Sequence, residues 1–179
     1  IGASSDPVNP MGTGNALYAY DFDGDLVSGS SSHMRFDFAP TNTDNVRVDI
    51  DFQRSYATAV EDEDTRFHVA LAPAGKNTNN SDFRPFEIRL LNNGSVVVNY
   101  NPDGILLDGR VSEIVAQYEV TGVNQMTFFA NGNNGDALPY DDPELGLGEV
   151  PANTMILFLN NVKIGEYLFI NTPDPNNAG

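Results

Sequence analysis

Two short connections constrain this chain more than any other feature. Asn93-Gly94 stands between Phe86-Glu87-Ile88-Arg89-Leu90 and Val96-Val97-Val98-Asn99-Tyr100. Asn160-Asn161 likewise joins Met155-Ile156-Leu157-Phe158-Leu159 to Val162-Lys163-Ile164. Two-residue links between apolar runs favour primed turns, whose central residues take φ > 0, and Asn and Gly tolerate that conformation best. A chain punctuated in this way folds into antiparallel hairpins, so its function has to be sought on sheet faces and in loops.

Period-2 alternation and enrichment in β-branched and aromatic residues predict about ten strands. They fall at 15–22, 33–38, 46–54, 66–72, 85–91, 95–100, 111–120, 125–130, 154–159 and 162–170. Val111, Ile114, Val115 and Tyr118 also have helical spacing, so 111–119 competes as a short surface helix. In Val46-Arg47-Val48-Asp49-Ile50-Asp51-Phe52-Gln53 the apolar residues take one face and the polar residues the other. Met155 to Leu159 is apolar on both faces, as a strand covered on both sides would be. Two stacked antiparallel sheets with one partly polar face fit this pattern.

At 179 residues, 40% hydrophobic with 11 Phe and 7 Tyr, the chain can bury one core and is short for two. No run of 18 apolar residues is present, so no helical membrane insertion is expected. The absence of cysteine excludes a disulfide framework and a thiolate metal site, and is compatible with export. Residues 1–14 read as a lead-in segment and 171–179 as a linker stub, leaving 15–170 as the domain. With a first residue that is Ile rather than Met, these stubs suggest a module excised from a longer chain with covalently linked neighbours. Twenty-five acidic against nine basic residues give a net charge of −16, a field that repels phosphate backbones and anionic membranes. Nucleic acid is therefore not an expected partner. The same charge serves either solubility in salty surroundings or cation binding.

The Tyr20-Asp21-Phe22-Asp23-Gly24-Asp25 opening, the long alternating strands and the closing Leu157-Phe158-Leu159-Asn160-Asn161-Val162-Lys163-Ile164-Gly165 hairpin resemble the concanavalin A-like, or laminin G-like, jelly rolls. The resemblance spans roughly residues 15–170. It implies an all-β, two-sheet jelly-roll sandwich of the kind found in carbohydrate-binding modules, lectins, polysaccharide lyases, β-glucanases and adhesin ligand-binding domains. It also implies secretion or display at the cell surface, and structural Ca²⁺ near the first strand.

Two groups of carboxylates are candidate metal ligands. Asp21, Asp23 and Asp25 alternate, so an extended strand points them one way and Gly24 lets the chain gather them. A divalent cation would relieve their repulsion; the alternative is a polar strand end in an acidic protein. The EF-hand pattern is excluded, because no Glu stands at its twelfth position. Residues 131–149 form the longest irregular stretch, in which Asp136, Asp141 and Asp142 offer carboxylates and Tyr140 a stacking ring. That stretch is read either as a ligand-facing calcium loop or as a solvated connector. Glu61 to Asp64 is read as a solvated turn.

The few basic residues mark the candidate ligand surface. Arg47, Asp49, Asp51, Arg66, His68, Glu87 and Arg89 lie opposite the apolar residues of their strands. If those strands are neighbours, the set forms one patch of donors and acceptors suited to sugar hydroxyls. The alternative is a self-neutralising set of cross-strand ion pairs. Without Trp, Tyr56, Tyr100, Tyr118 and Tyr140 are left to stack on single sugar rings. Glucanase-type Glu-x-Asp-x-x-Glu spacing is missing. Arg66, His68, Gln117 and Tyr118 have the chemistry of a uronate lyase without its surrounding motifs, and no nucleophile elbow occurs. The expected protein is a non-catalytic, Ca²⁺-dependent carbohydrate-binding module of a larger secreted or cell-surface bacterial protein, with a preference for neutral glycans. A Ca²⁺-dependent peptide-binding adhesin domain and a polysaccharide lyase are the alternatives.

Overall fold

A computed structural model describes residues 2–4, 16–18, 45–53, 66–71, 84–102, 110–132, 135–142 and 145–170. The chain divides into two compact units, Ile1–Thr41 and Asn42–Gly179. In the first, β1 (Gly2–Ser4) pairs antiparallel with β2 (Ala16–Tyr18), so the predicted lead-in contributes a strand. The predicted strand at 33–38 and the turn at 61–64 lie outside the described residues.

The second unit is an antiparallel β-sandwich. Its strands are β3 (Asn45–Gln53), β4 (Arg66–Ala70), β5 (Glu87–Leu91), β6 (Ser95–Tyr100), β7 (Val111–Gln117), β8 (Val123–Asn131), β9 (Leu138–Asp142), β10 (Gly146–Val150), β11 (Thr154–Leu159) and β12 (Val162–Leu168). One sheet has the order β12-β11-β8-β3 and the other β4-β5-β6-β7, while β9 and β10 form a separate ribbon. There is no helix among the described residues. The strands establish the sandwich; four consecutive strands lie side by side in one sheet, and a full jelly-roll path is not traced.

The core follows from parity. On a strand, alternate side chains point to opposite faces. Ile88, Leu90, Val96 and Val98 from one sheet meet Met126, Phe128, Met155 and Leu157 from the other, all of them buried in one cluster. The register explains why they share a layer: Val48 stands opposite Phe128, and Phe128 opposite Leu157. Phe86 packs edge-on against Phe128 with ring centroids 5.4 Å apart. Each fully buried aromatic or aliphatic side chain contributes about 1.5–3 kcal/mol of transfer free energy.

The two hairpins named in the sequence close differently. Asn160 and Asn161 have φ of 51° and 65° and form the two-residue primed turn expected of them. The other connection is three residues long, Asn92 to Gly94, with a hydrogen bond of 3.1 Å from the Gly94 amide to the Leu91 carbonyl. In that turn only Gly94, at φ 92°, is left-handed. A Cβ there would stand 3.1 Å from the Tyr118 carbonyl oxygen, so glycine is required for space as well as for conformation.

Segment 111–117 is a strand, and a bulge accounts for its helical spacing. The register between β6 and β7 shifts at Val96/Val97: Val96 stands opposite Ala116 and Val97 opposite Ile114. Val115 is the extra residue, so Val115 and Ala116 both pack on the core while Ile114 is exposed.

Candidate functional site

The predicted polar patch is split between the outer faces of two sheets, because β3 and β4 are not neighbours. His68, Glu87 and Arg89 belong to one sheet, and Arg47, Asp49 and Asp51 to the other. This corrects the single patch expected from the sequence.

On the β4–β7 sheet, register brings His68 opposite Arg89 and Glu87 opposite Asn99. Arg66 stands opposite Leu91 at the start of β4. The Glu87 carboxylate is buried, its side chain 7% exposed, and meets His68 Nδ1 and Arg84 Nη1 at 2.5 Å. Asn99 Nδ2 donates to its other oxygen at 2.5 Å, and Arg89 Nη2 donates to Asn99 Oδ1 at 2.6 Å and to Ser112 Oγ at 3.0 Å. Burial pushes the Glu87 carboxyl up. The hydrogen bond and charge of His68, then Arg84 and Asn99, outweigh that and bring it down to about 2. Each member is committed to another, so this set is an internal structural node. Arg84 stands out in the sequence only as one of few basic residues, and Asn99 and Ser112 not at all. The place of Asn99 opposite Glu87 depends on the three-residue connection Asn92 to Gly94, where the sequence suggests a two-residue one.

On the other sheet the ribbon β9–β10 covers part of the outer face. Phe129, Ile156 and Phe158 point away from the main core and are buried with Tyr140 and Val150 in a second cluster. This is why Met155 to Leu159 is apolar on both sides. Tyr140 packs on Phe129 with centroids 4.4 Å apart and on Phe158 at 6.1 Å. Its ring crosses Gly148, its partner in β10, where an added Cβ would lie 2.5 Å from Tyr140 Cε1. Asn131, fully buried, fastens the ribbon by donating to the Asp136 carbonyl at 2.9 Å and the Val150 carbonyl at 3.0 Å.

The ribbon also redefines the predicted calcium loop. Residues 138–142 and 146–150 are paired strands rather than irregular loop, so Asp141 and Asp142 point to opposite faces. Asp142 is buried; its Oδ2 accepts from the Tyr140 hydroxyl at 2.8 Å and its Oδ1 from the Leu145 amide at 3.0 Å. Asp136 and Asp141 are exposed. The three carboxylates do not converge and do not fit a shared ion. Tyr140 is buried rather than presented as a stacking ring, and its hydroxyl is pushed up by burial, by Asp142 and by Glu166. Among the described residues no group of three or more His, Asp or Glu is gathered around a point. Asp21, Asp23 and Asp25 lie outside the described residues.

A cleft of about 310 Å³ opens where the ribbon meets β3, lined by Val46, Arg47, Phe129, Asn131, Tyr140 and Asp141 among others. Arg47 lies at this cleft, its guanidinium carbon 5.3 Å from the Phe129 ring centroid. Arg47 Nε donates to Asp49 Oδ2 at 2.9 Å and Nη2 to Oδ1 at 3.2 Å. Thr127 Oγ1 donates to Asp49 Oδ1 at 2.8 Å. Slight burial raises the Asp49 carboxyl, and Arg47 and Thr127 together hold it below the usual carboxylate range. The Arg47 and Asp49 side chains are 53% and 45% exposed. The pair is thus fixed from below and open above. Phe129 and Thr127 were missed in the sequence reading; the signal was Phe128-Phe129, aromatic on both faces of one strand.

Comparison of the chain with family models, with curated proteins and with solved structures finds no match. The resemblance to concanavalin A-like jelly rolls therefore rests on the sequence features themselves, and the fold and this cleft carry the functional argument.

Proposed function

We propose that the chain is a non-catalytic carbohydrate-binding module of a secreted or cell-surface protein, and that the cleft beside Arg47 and Asp49 is its binding site. The fixed Arg47–Asp49 pair, of which Arg47 lines this cleft, is the observation that carries this reading. Arg47 spends Nε and Nη2 on Asp49, and its Nη1 donors have no protein partner among the described residues. Asp49 and Asp141 supply acceptors. A hydroxyl both donates and accepts, so a neutral sugar satisfies this set, whereas an anionic one meets the field of a −16 chain. A cleft of about 310 Å³ lies at the small end for ligand sites and suits one or two sugar units. The Phe129 ring and the Asp49 carboxylate hold the guanidinium in place, which lowers the ordering cost of binding.

The test is a glycan array with wild type and Arg47→Ala. Binding of neutral glycans by the wild type and its loss in the variant support the proposal. No glycan bound by the wild type, or undiminished binding by Arg47→Ala, contradicts it. Ca²⁺ belongs to the proposal through Asp21, Asp23 and Asp25 alone, and repeating the array with chelator tests that part.

A second reading, recognition of a protein or peptide, draws on Leu145 and Leu147. They are 79% and 81% exposed on the ribbon, near the exposed Asp141 and Glu149. Large apolar side chains this open on one ribbon are a common mark of contact surfaces.

A further inference from the structure

The cleft does not end the polar surface of its sheet. Arg47, Asp49, Asp51 and Gln53 alternate along β3 and so share its outer face, and all four are exposed. Across from them on β8 stand Phe129, Thr127, Gln125 and Val123. From Arg47 to Gln53 the row extends about 20 Å at ~3.3 Å per residue. Among the described residues β3 is the last strand of its sheet, and no described strand beside it walls the row off. The row begins at the cleft, and it presents carboxylates and amides spaced at every second residue. The Gln53 amide is partly committed, donating to the Thr121 carbonyl at 3.2 Å.

We infer that this row is an extended track for a linear neutral polysaccharide, with one end of the bound segment in the Arg47 cleft and the following units along Asp51 and Gln125. The inference rests on the carbohydrate reading of the cleft. Its chemistry is that of hydroxyl recognition: Asp51 accepts from sugar hydroxyls and Gln125 donates and accepts. An extended peptide is less well matched along the row, because its alternate side chains need apolar pockets and beyond the cleft with Phe129 the row has only Val123, at its far end. The consequence is a dependence on ligand length. A disaccharide fills the cleft alone, whereas a longer oligomer adds contacts until the track is covered.

Calorimetric titration with disaccharide-to-hexasaccharide ladders of neutral glucan, mannan, xylan and galactan tests this. The expected result is that at least one ladder binds, with affinity rising about tenfold or more from disaccharide to hexasaccharide, as one or two added hydrogen bonds imply. Asp51→Ala and Gln125→Ala should each reduce that gain while leaving the disaccharide affinity and the melting temperature unchanged. Arg47→Ala should weaken short and long oligomers alike. Binding that is equal for all lengths, or is weakened equally at all lengths by Asp51→Ala, overturns the track and leaves the cleft standing. Failure of every ladder overturns both readings. Capture of an extended Lys-rich peptide in place of any sugar, lost in Asp51→Ala, assigns the row to a peptide and overturns the inference.

Discussion

On one outer face of the sandwich Glu87 is buried among His68, Arg84 and Asn99; on the other, Arg47 and Asp49 pair with about half of each side chain open to solvent. Both are arginine–carboxylate sets on strands of the same kind, and from sequence they are indistinguishable. What separates them is the surroundings. The first carboxylate is out of water and has to keep every partner. The second has two partners beside it and about half of its side chain open to solvent. A buried set of charges holds a structure in one arrangement, and removing one member leaves others uncompensated. An exposed pair adds little to stability and remains available to a ligand.

The contrast can be broken most decisively at Glu87. Glu87→Ala should cost about 3 kcal/mol in denaturant unfolding, because it leaves Arg84 and His68 without their anion. A loss below about 1 kcal/mol would show that the node is dispensable. The same group sets an acid limit. Its carboxyl falls from an ordinary 4.5 to about 2 in the folded protein, so its stabilisation is complete above pH 4.5 and disappears as the pH falls through about 2. Melting curves across that window should show a loss of stability in wild type that is diminished in Glu87→Ala.

Calcium comes next in size. If Asp21, Asp23 and Asp25 hold an ion, Ca²⁺ at about one hundred times its dissociation constant adds about 2.7 kcal/mol by mass action. A melting temperature equal in Ca²⁺ and in EDTA removes the metal from the account. The ribbon offers a smaller effect. Tyr140→Phe removes the hydroxyl that donates to the buried Asp142 and should cost about 1–3 kcal/mol, with Leu145 still bonded to the other oxygen. An unchanged unfolding midpoint would show that Asp142 finds another donor. Smallest in stability is Arg47→Ala, which should change unfolding by less than about 1 kcal/mol.

The hairpins, the positions of the predicted strands that fall on described residues and the two-sided burial of Met155 to Leu159 were legible because they depend on local chemistry. Asn and Gly mark turns, and parity marks faces. The division of the polar residues was not legible. Parity says that Arg47 and His68 both point away from apolar neighbours, but only strand order says that they do so on opposite sides of the molecule. The ribbon was hidden for a related reason. Leu138-Pro139-Tyr140-Asp141-Asp142 and Gly146-Leu147-Gly148-Glu149-Val150 are too rich in Gly, Pro and Asp to read as strands. They pair because Tyr140 fills the space over Gly148 and seats itself on Phe129 and Phe158, a tertiary contact that no local pattern announces. The bulge at Val115 misled in the opposite direction, giving a strand the apolar spacing of a helix.

The central claim is that ligand recognition belongs to the open Arg47–Asp49 face. The most direct measurement is calorimetric titration, against wild type and Arg47→Ala, of a neutral oligosaccharide that the wild type binds, with melting temperatures recorded for both. Loss of a charged hydrogen bond of about 1.5–3 kcal/mol predicts an affinity lower by roughly tenfold to a hundredfold in the variant, at an unchanged melting temperature. Equal affinity in the two proteins would contradict the account and move the site away from this face.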